Sequence, residues 1–391
     1  MTTRADDDAR FLARDAVDCL PEGGLARKLR LGRPLRVKLG LDPTAPDVHL
    51  GHTVVLRKLR EFQDRGHVVV LIIGDYTARV GDPSGRSATR PVLTGAEIDA
   101  NARTYVEQAE KVLDPGRIEL RYNSEWLDMS MVDLFALART TTVAQLLERD
   151  DFANRYAARE PISILELLYP LMQAYDSVAV RSDVELGGTD QKFNLLLGRD
   201  VQRAYGVDEQ VALTMPILPG VDGERKMSKS LGNHIGVTEP PEEIYGKTLS
   251  LPDSAMASWY ELLLGRAIAP GLSARDAKHA LASTLVERLY SADAAAAAAE
   301  HFDRVVVQRS LPESIEEATF PAVDGVVHLP AVIASTFGGS RSDARRKLGQ
   351  GAVRIDGVVL GAEDVDIAAE RLDEAILQVG KRQFRRMRRA A

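Results

Sequence analysis

A single cysteine, Cys19, stands among 391 residues, which excludes an internal disulfide and a multi-thiolate zinc site and fits a reducing compartment. No stretch approaches the ~18 consecutive apolar residues that a membrane-crossing helix requires. The first residues carry Asp6, Asp7 and Asp8 instead of a basic cluster ahead of an apolar core, so a leader peptide is not indicated. The expected location is the cytoplasm, with no membrane partner. Histidines number only 7 and none sits in a His-Glu-x-x-His pattern, so no tightly bound metal is expected. Neither sign of charge dominates. With 50 Lys and Arg against 57 Asp and Glu, and a net charge of -7, any binding to nucleic acid must use a local patch. No repeat of solenoid period is evident. What the chain does have is 45% hydrophobic and 27% charged residues, the balance of a folded globular protein. At roughly 150 residues per domain its length predicts two or three domains.

Leu35 to Leu41 alternates apolar and basic residues and then meets the breaker Asp42-Pro43-Thr44-Ala45-Pro46, which reads as a strand running into a loop. From Thr53 the apolar residues Val55, Leu56, Leu59 and Phe62 fall at helical spacing up to Gly66, where a C-terminal cap belongs. Val68 to Ile73 is a continuous apolar run, as expected of a parallel strand covered on both faces. Together these predict a βαβ unit. A similar turn follows Val184-Glu185-Leu186, where Gly187-Gly188-Thr189-Asp190 precedes a helical stretch ending near Gly206. The first half therefore reads as an open α/β sheet. Beyond Pro240-Pro241 the composition turns helix-forming, and the alanine run 294–299 reads as one exposed helical stretch.

Two segments carry the chemistry. His49-Leu50-Gly51-His52 lies between the Asp42-Pro43 loop and the amphipathic helix. A helix start offers N–H groups to an anion, two histidines add donors, and Gly51 lets a base or sugar approach the backbone. The same four residues also suit a helix start that merely happens to hold histidines. Lys226-Met227-Ser228-Lys229-Ser230 sits in a polar stretch without periodicity and reads as a mobile loop. Its ammonium groups, on flexible stems, can follow charge moving along a phosphate chain; alone, such a loop is more often a solvated surface.

The pairing of these segments on an α/β first half resembles the class I aminoacyl-tRNA synthetases. Within that class the likeness is to the tyrosine-charging members of a second bacterial subgroup. It rests on Gly40-Leu41-Asp42-Pro43-Thr44-Ala45, Gly81-Asp82-Pro83-Ser84, Gly188-Thr189-Asp190-Gln191, and Tyr169 with Gln173 and Asp176. The resemblance implies a Rossmann-like catalytic domain that activates tyrosine with ATP, accompanied by magnesium. His49, His52 and Thr44 would contact the phosphates, and Lys226 and Lys229 would close over the leaving group. Gly51, Gly188, Asp190, Met227, Ser228 and Ser230 would bind the nucleotide, with Asp190 on the ribose hydroxyls. Asp190 is equally a residue type that caps helices. Gly40, Asp42, Asp82, Tyr169, Gln173, Asp176 and Gln191 would form the tyrosine pocket. Its ammonium end would be Asp82, Tyr169 and Gln173; Asp176 would accept the phenol hydroxyl. Tyr169, Gln173 and Asp176 lie at i, i+4 and i+7, on one face of a helix, which suits a pocket wall or simply a polar surface. One departure stands out: Lys38 occupies the position where better-known members carry a pocket tyrosine. It either pairs with Asp176 or points elsewhere.

Positive charge gathers at the end of the chain. Ser340-Arg341-Ser342-Asp343-Ala344-Arg345-Arg346 and Gly351 to Gly357 resemble a small RNA-binding module named for a ribosomal small-subunit protein. Arg341, Arg345 and Arg346 would then meet phosphates of tyrosine tRNA; a solvated basic tail is the plainer reading. The expected domains are 1–236 (catalytic), 237–322 (helical, anticodon region) and 323–391 (RNA-binding module), in a homodimer. A relative charging a tyrosine analogue or tryptophan, and a noncatalytic RNA-binding relative, are the other readings.

Overall fold

The apolar runs of the first half become the inner strands of one sheet. In the computed structural model, which describes residues 3–43, 48–80, 94–307, 315–322, 325–380 and 383–390, strands β1 (Asp18–Leu20), β2 (Arg36–Leu41), β3 (Val68–Ile73), β4 (Ile118–Tyr122), β5 (Val184–Gly188) and β6 (Val211–Met215) lie in the order β1-β6-β5-β2-β3-β4. All neighbours are parallel except β1 with β6. Val69 to Ile73 are fully buried, as continuous apolar strands require.

The order places a switch point between β2 and β5. From that pair, β3 and β4 build outward on one side and β6 on the other. β2 and β5 are in register only at Val37 with Val184 and Lys38 with Glu185, so their carboxyl ends part. In open α/β sheets such a crevice is where ligands bind. Helix α1 (Leu50–Asp64) follows β2, α2 (Ile164–Ala179) precedes β5, and α3 (Lys192–Ala204) follows it.

The chain forms two compact units, Met1–Ser291 and Ala292–Ala391. The first ends with helices α4 (Pro241–Leu249) and α5 (Ala274–Leu289). The second opens with α6 (Ala292–Phe302), where the alanine run indeed forms a helix. It is not exposed all round, because Ala295 and Ala298, three residues apart, are buried. The same unit holds β7 (Glu317–Phe320), β8 (Val326–His328), α7 (Leu329–Phe337), α8 (Arg341–Gly349), β9 (Val353–Ile355), β10 (Val358–Leu360), β11 (Asp366–Ala368), β12 (Ile376–Val379) and β13 (Gln383–Arg389). Five of these strands form a sheet in the order β10-β9-β12-β13-β7. The basic segment at the end of the chain is thus a strand, parallel to β7. Two of its arginines face glutamates of that neighbourhood: Arg385 lies 2.7 Å from Glu316 and Arg388 2.9 Å from Glu317.

Candidate active site

A cavity of about 320 Å³ occupies the crevice above β2 and β5. Its lining brings together His49, Gly51 and His52 from the start of α1, Lys226 and Met227 from the lysine segment, Tyr169, Gln173 and Asp176 from α2, and Gly188, Asp190 and Gln191 after β5. Gly40 and Asp42, at the end of β2, line it as well. Thr44 and Asp82 lie outside the described residues, as does the side chain of Ser230.

The histidine turn is stitched to the segment after the lysines. Leu50 N–H donates to the Ile235 carbonyl at 2.9 Å, and Val237 N–H to that of Val48 at 3.0 Å. Helix α1 begins at Leu50, three residues before its apolar periodicity. The reason is a reciprocal cap. Gly51 N–H donates to Nδ1 of His49 and His49 N–H to Nδ1 of His52, each at 3.2 Å. With His52 N–H bonded to the His49 carbonyl at 2.9 Å, the N–H groups of Leu50, Gly51 and His52 are all engaged within the protein. The expectation that the helix start itself offers these donors to an anion is therefore corrected. The donors are the rings: with Nδ1 accepting, a neutral imidazole carries its proton on Nε2.

Both rings are neutral. Burial, together with the neighbouring histidines and lysines, pushes His49 down to about 2; burial and the charge of Lys226 push His52 down to about 4. The positive potential of the site comes from lysine, and the histidines contribute hydrogen bonds. Gly51 is needed for the cap, because a Cβ there would lie 2.9 Å from Cε1 of His49.

The lysine segment is tethered where the sequence suggested a mobile loop. Met227 is 1% exposed, and Ser228 N–H donates to Asn233 Oδ1 at 2.8 Å. Lys226 is ion-paired with Asp190. Asp190 does not cap α3: it sits in the short turn Thr189–Gln191, and neither Gly188 nor Gln191 makes a side-chain cap bond. The capping alternative for Asp190 falls.

At the other end of the cavity, α2 presents Tyr169, Gln173 and Asp176 as their spacing predicts. Tyr169 Oη donates to Asp42 Oδ2 and Thr77 Oγ1 to Asp42 Oδ1, both at 2.8 Å. Gly74 is obligatory beside them, since a Cβ would fall 2.0 Å from Asp42 Oδ1. Asn194 Nδ2 donates to Gln173 Oε1 at 2.9 Å and to Gln191 Oε1 at 3.0 Å, fixing both amides. Asp176 accepts from Trp126 Nε1 at 2.8 Å. Burial raises its carboxyl to about 7, opposed by the charge of Lys38 and by the bonds from Trp126 and Asn123. Lys38 pairs not with Asp176 but with Glu185, at 2.9 Å. Asn123, Trp126, Thr77, Gly74, Asn194 and Glu185 escaped the sequence reading. Only the strand pattern around Glu185 offered a signal.

These features match known proteins. The family described as tRNA synthetases class I (W and Y) matches residues 30–306. The chain belongs to this family. The tyrosine–tRNA ligase of Moorella thermoacetica is 52% identical over 395 residues, covering 97% of this chain and 95% of its own. That of Thermotoga maritima is 48% identical over 394 residues, covering 98% and 97%. Among solved structures, the tyrosyl-tRNA synthetase of Archaeoglobus fulgidus complexed with L-tyrosine aligns with a TM-score of 0.62 at 24% identity, covering 75% of this chain and 99% of that one. At that identity the likeness is one of fold. In this class I synthetase chain the second unit carries Arg341, Arg345 and Arg346 exposed on α8, with Ala344 and Leu348 of the same helix buried. Arg346 is also ion-paired with Asp343.

Among the described residues no group of three or more His, Cys, Asp and Glu side chains is arranged to hold a metal ion, and no helix is long and apolar enough to cross a membrane.

Proposed function

We infer that the chain is a tyrosine–tRNA ligase. It joins tyrosine to ATP as tyrosyl-adenylate with release of pyrophosphate, then passes the tyrosyl group to the 2'-hydroxyl of the terminal adenosine of tyrosine tRNA. The observation that carries this reading is one cavity lined by the histidine turn, the lysine segment and the polar face of α2.

The tyrosine carboxylate is the nucleophile. Its pKa of roughly 3.5 leaves it ionised at neutral pH, so no general base is needed. A bond forms from a carboxylate oxygen to the α-phosphorus, and the bond from that phosphorus to the bridging oxygen of pyrophosphate breaks. The obstacle is the meeting of two anions while charge builds on the leaving group, which positioning and positive potential overcome. His49 and His52 donate from Nε2 to phosphate oxygens. Lys226 and Lys229 follow the charge onto pyrophosphate, and the magnesium ion that enters with ATP shares its neutralisation. Thr44 adds a phosphate contact. Asp190 accepts the ribose hydroxyls, and Gly188 leaves room for the sugar. Tyrosine lies between Asp82, Tyr169 and Gln173 at its ammonium, Gln191 at its carboxylate and Asp176 at its phenol; Asp42 and Gly40 shape the floor. A Cβ at Gly40 would meet nothing within 4 Å.

Two further features complete the reading. Among the described residues, Met131, Val132, Phe135, Val143, Ile164 and Leu165 are large apolar side chains at least half exposed within one stretch of 35 residues; a surface of this kind supports a homodimer. The arginines of α8 support a grip on tRNA phosphates, reading shape and backbone charge. We assign catalysis to 1–236, the anticodon side to the helices that follow from 237, and tRNA gripping to the module that carries α8 and the sheet of β7, β9, β10, β12 and β13, in a cytoplasmic enzyme whose lone Cys19 fits a reducing compartment.

Relatives with the ligase name at about half identity over nearly the whole chain weigh against a tryptophan enzyme or a noncatalytic relative. The test is amino-acid-dependent exchange of pyrophosphate into ATP. Tyrosine supports exchange and tryptophan does not; absence of tyrosine-dependent exchange defeats the reading.

A further inference from the structure

Beneath the cavity lies a buried ion pair that the adenylation and transfer steps do not use. Lys38 on β2 is 0% exposed and Glu185 on β5 is 1% exposed, and they occupy the last register position at which these two strands pair. The Lys38 ammonium has three hydrogens and three partners: the Gln173 carbonyl at 3.0 Å, Ser177 Oγ at 2.8 Å and Glu185 Oε1 at 2.9 Å. Its donor inventory is therefore complete. Ser177 Oγ donates in turn to Glu185 Oε2 at 3.0 Å, and Gln173 Nε2 reaches Glu185 Oε1 at 3.4 Å. Gln210 Nε2 also donates to Oε2.

Gln173 and Ser177 are one turn apart on α2 and bracket Asp176. A charge held at that point by both strands fixes the rotation and height of this turn over the sheet, just where β2 and β5 begin to part. We propose that Lys38 is a positioning residue for tyrosine recognition: clamped by Glu185, it sets the turn of α2 that aims Gln173 and Asp176 into the cavity. The inference rests on the assignment of this cavity to tyrosine. It gives Lys38 a function without direct contact with substrate, since the cavity is lined by Leu39, Gly40 and Glu185 and not by Lys38.

A lysine here also biases the charge of the residue it positions. The groups that face Asp176 are Lys38 from β2, Glu185 from β5, and the uncharged Asn123 and Trp126; the lysine favours the carboxylate and Glu185 opposes it. A merely fold-holding ion pair, once removed, would leave the KM for tyrosine unchanged relative to that for ATP.

The test measures tyrosine-dependent pyrophosphate exchange on the full chain carrying Lys38→Met, Lys38→Met with Glu185→Gln, or Asp176→Asn. The double variant removes both charges, so that no lone carboxylate is left buried. KM does not depend on the fraction of chain that folds, so it survives a partial loss of folding. The expected result for the double variant is a rise of about tenfold in the KM for tyrosine, with the KM for ATP and kcat within about twofold, and a matching fall in preference for tyrosine over phenylalanine. In the single variant, the inflection in the tyrosine KM moves to higher pH. If the KM for tyrosine is unchanged, or rises together with that for ATP, while Asp176→Asn still raises the tyrosine KM, the role of Lys38 is overturned and the cavity assignment stands. If Asp176→Asn also has no effect on tyrosine, the cavity assignment itself is overturned.

Discussion

The ammonium of Lys226 rests on the carboxylate of Asp190, so the residue assigned to the leaving phosphates is held by the residue assigned to the ribose. Lys226 is 56% and Asp190 28% exposed, and an ion pair so open to water is worth at most about 1 kcal/mol. Separating it for a nucleotide is easy. Each partner then gains a ligand group of matching charge or hydrogen-bonding sense.

The first prediction follows from that weakness. Lys226→Ala leaves the urea midpoint within the shift expected of about 0.5 kcal/mol, the usual range for a surface site. It lowers tyrosine-dependent pyrophosphate exchange by roughly 10²-fold or more, the scale of one lost charge-stabilising donor in a transition state. A stability loss that accounts for the lost activity would remove Lys226 from the chemistry.

The histidine pair makes a prediction about pH. An ordinary histidine titrates near 6.5, whereas His49 and His52 in the folded chain do so only near 2 and 4. Their folded pKa values are depressed, so the unfolded chain binds more protons on acidification. The stability present above pH 6.5 is lost as pH falls toward 4. Denaturant midpoints taken from pH 7 to pH 4.5 therefore fall more steeply for the native chain than for a His49→Asn/His52→Asn variant. Because the rings stay neutral throughout, neither contributes an inflection to the exchange rate between pH 6 and 8. An inflection in that range abolished by His52→Asn would show that the imidazolium form matters.

Local pattern revealed the parts of this architecture that are local. The βαβ unit, the helix face carrying Tyr169, Gln173 and Asp176, and the turn after β5 follow from a continuous apolar run, periods of two or 3.6 residues and a glycine pair. The partners of those side chains do not. Lys38 and Glu185 are 147 positions apart, and nothing in the alternation of Leu35 to Leu41 marks one of its basic residues as the inward one. Asn194, which aligns Gln173 and Gln191 at once, looks in sequence like any polar residue near a helix start. The strand Glu317–Phe320 falls in a stretch read as helical because its partner, β13, lies more than sixty residues ahead. Pairing across such distances leaves no periodic trace.

Asp176 supplies a second pH dependence, of the same origin in burial but of opposite direction. Burial raises its carboxyl to about 7, so near neutrality the free chain is a mixture of protonated and ionised forms. The ionised form is the stronger acceptor for a phenol hydroxyl. The KM for tyrosine therefore falls as pH rises from 6 to 8, while the KM for ATP does not follow it. Asp176→Asn removes this pH dependence. It also raises the tyrosine KM by about 10- to 100-fold, the range for a lost bond to a charged group. A pH-independent KM for tyrosine in the native chain would show that Asp176 does not take the phenol.

Charge on the exposed apolar stretch tests the homodimer. Phe135 is 55% and Val132 73% exposed on the short helix Met131–Ala138, so most of each side chain lies outside the packed interior. In a monomer, Val132→Asp/Phe135→Asp would leave both folding and sedimentation unchanged. In a dimer packed through this surface, two carboxylates per chain enter a dry interface, and each costs several kcal/mol unless paired. Sedimentation velocity at micromolar concentration is expected to show the doubly substituted chain at half the mass of the native one.

The basic face of α8 allows the two stages of the reaction to be separated. Arg341 and Arg345 are exposed on α8 while Ala344 and Leu348 of the same helix are buried, so Arg341→Glu/Arg345→Glu changes surface charge without removing a core side chain. Pyrophosphate exchange requires only tyrosine and ATP and should stay within about twofold of the native rate. Transfer to tRNA draws on the neutralisation of phosphates, and the logarithm of affinity then declines linearly with the logarithm of salt concentration, with a slope of about one for each phosphate neutralised. The KM for tRNA is therefore expected to rise at least tenfold, with a salt slope shallower by about two. If exchange and transfer fell together, the arginines would be supporting the fold; if neither changed, tRNA would be held elsewhere on the chain.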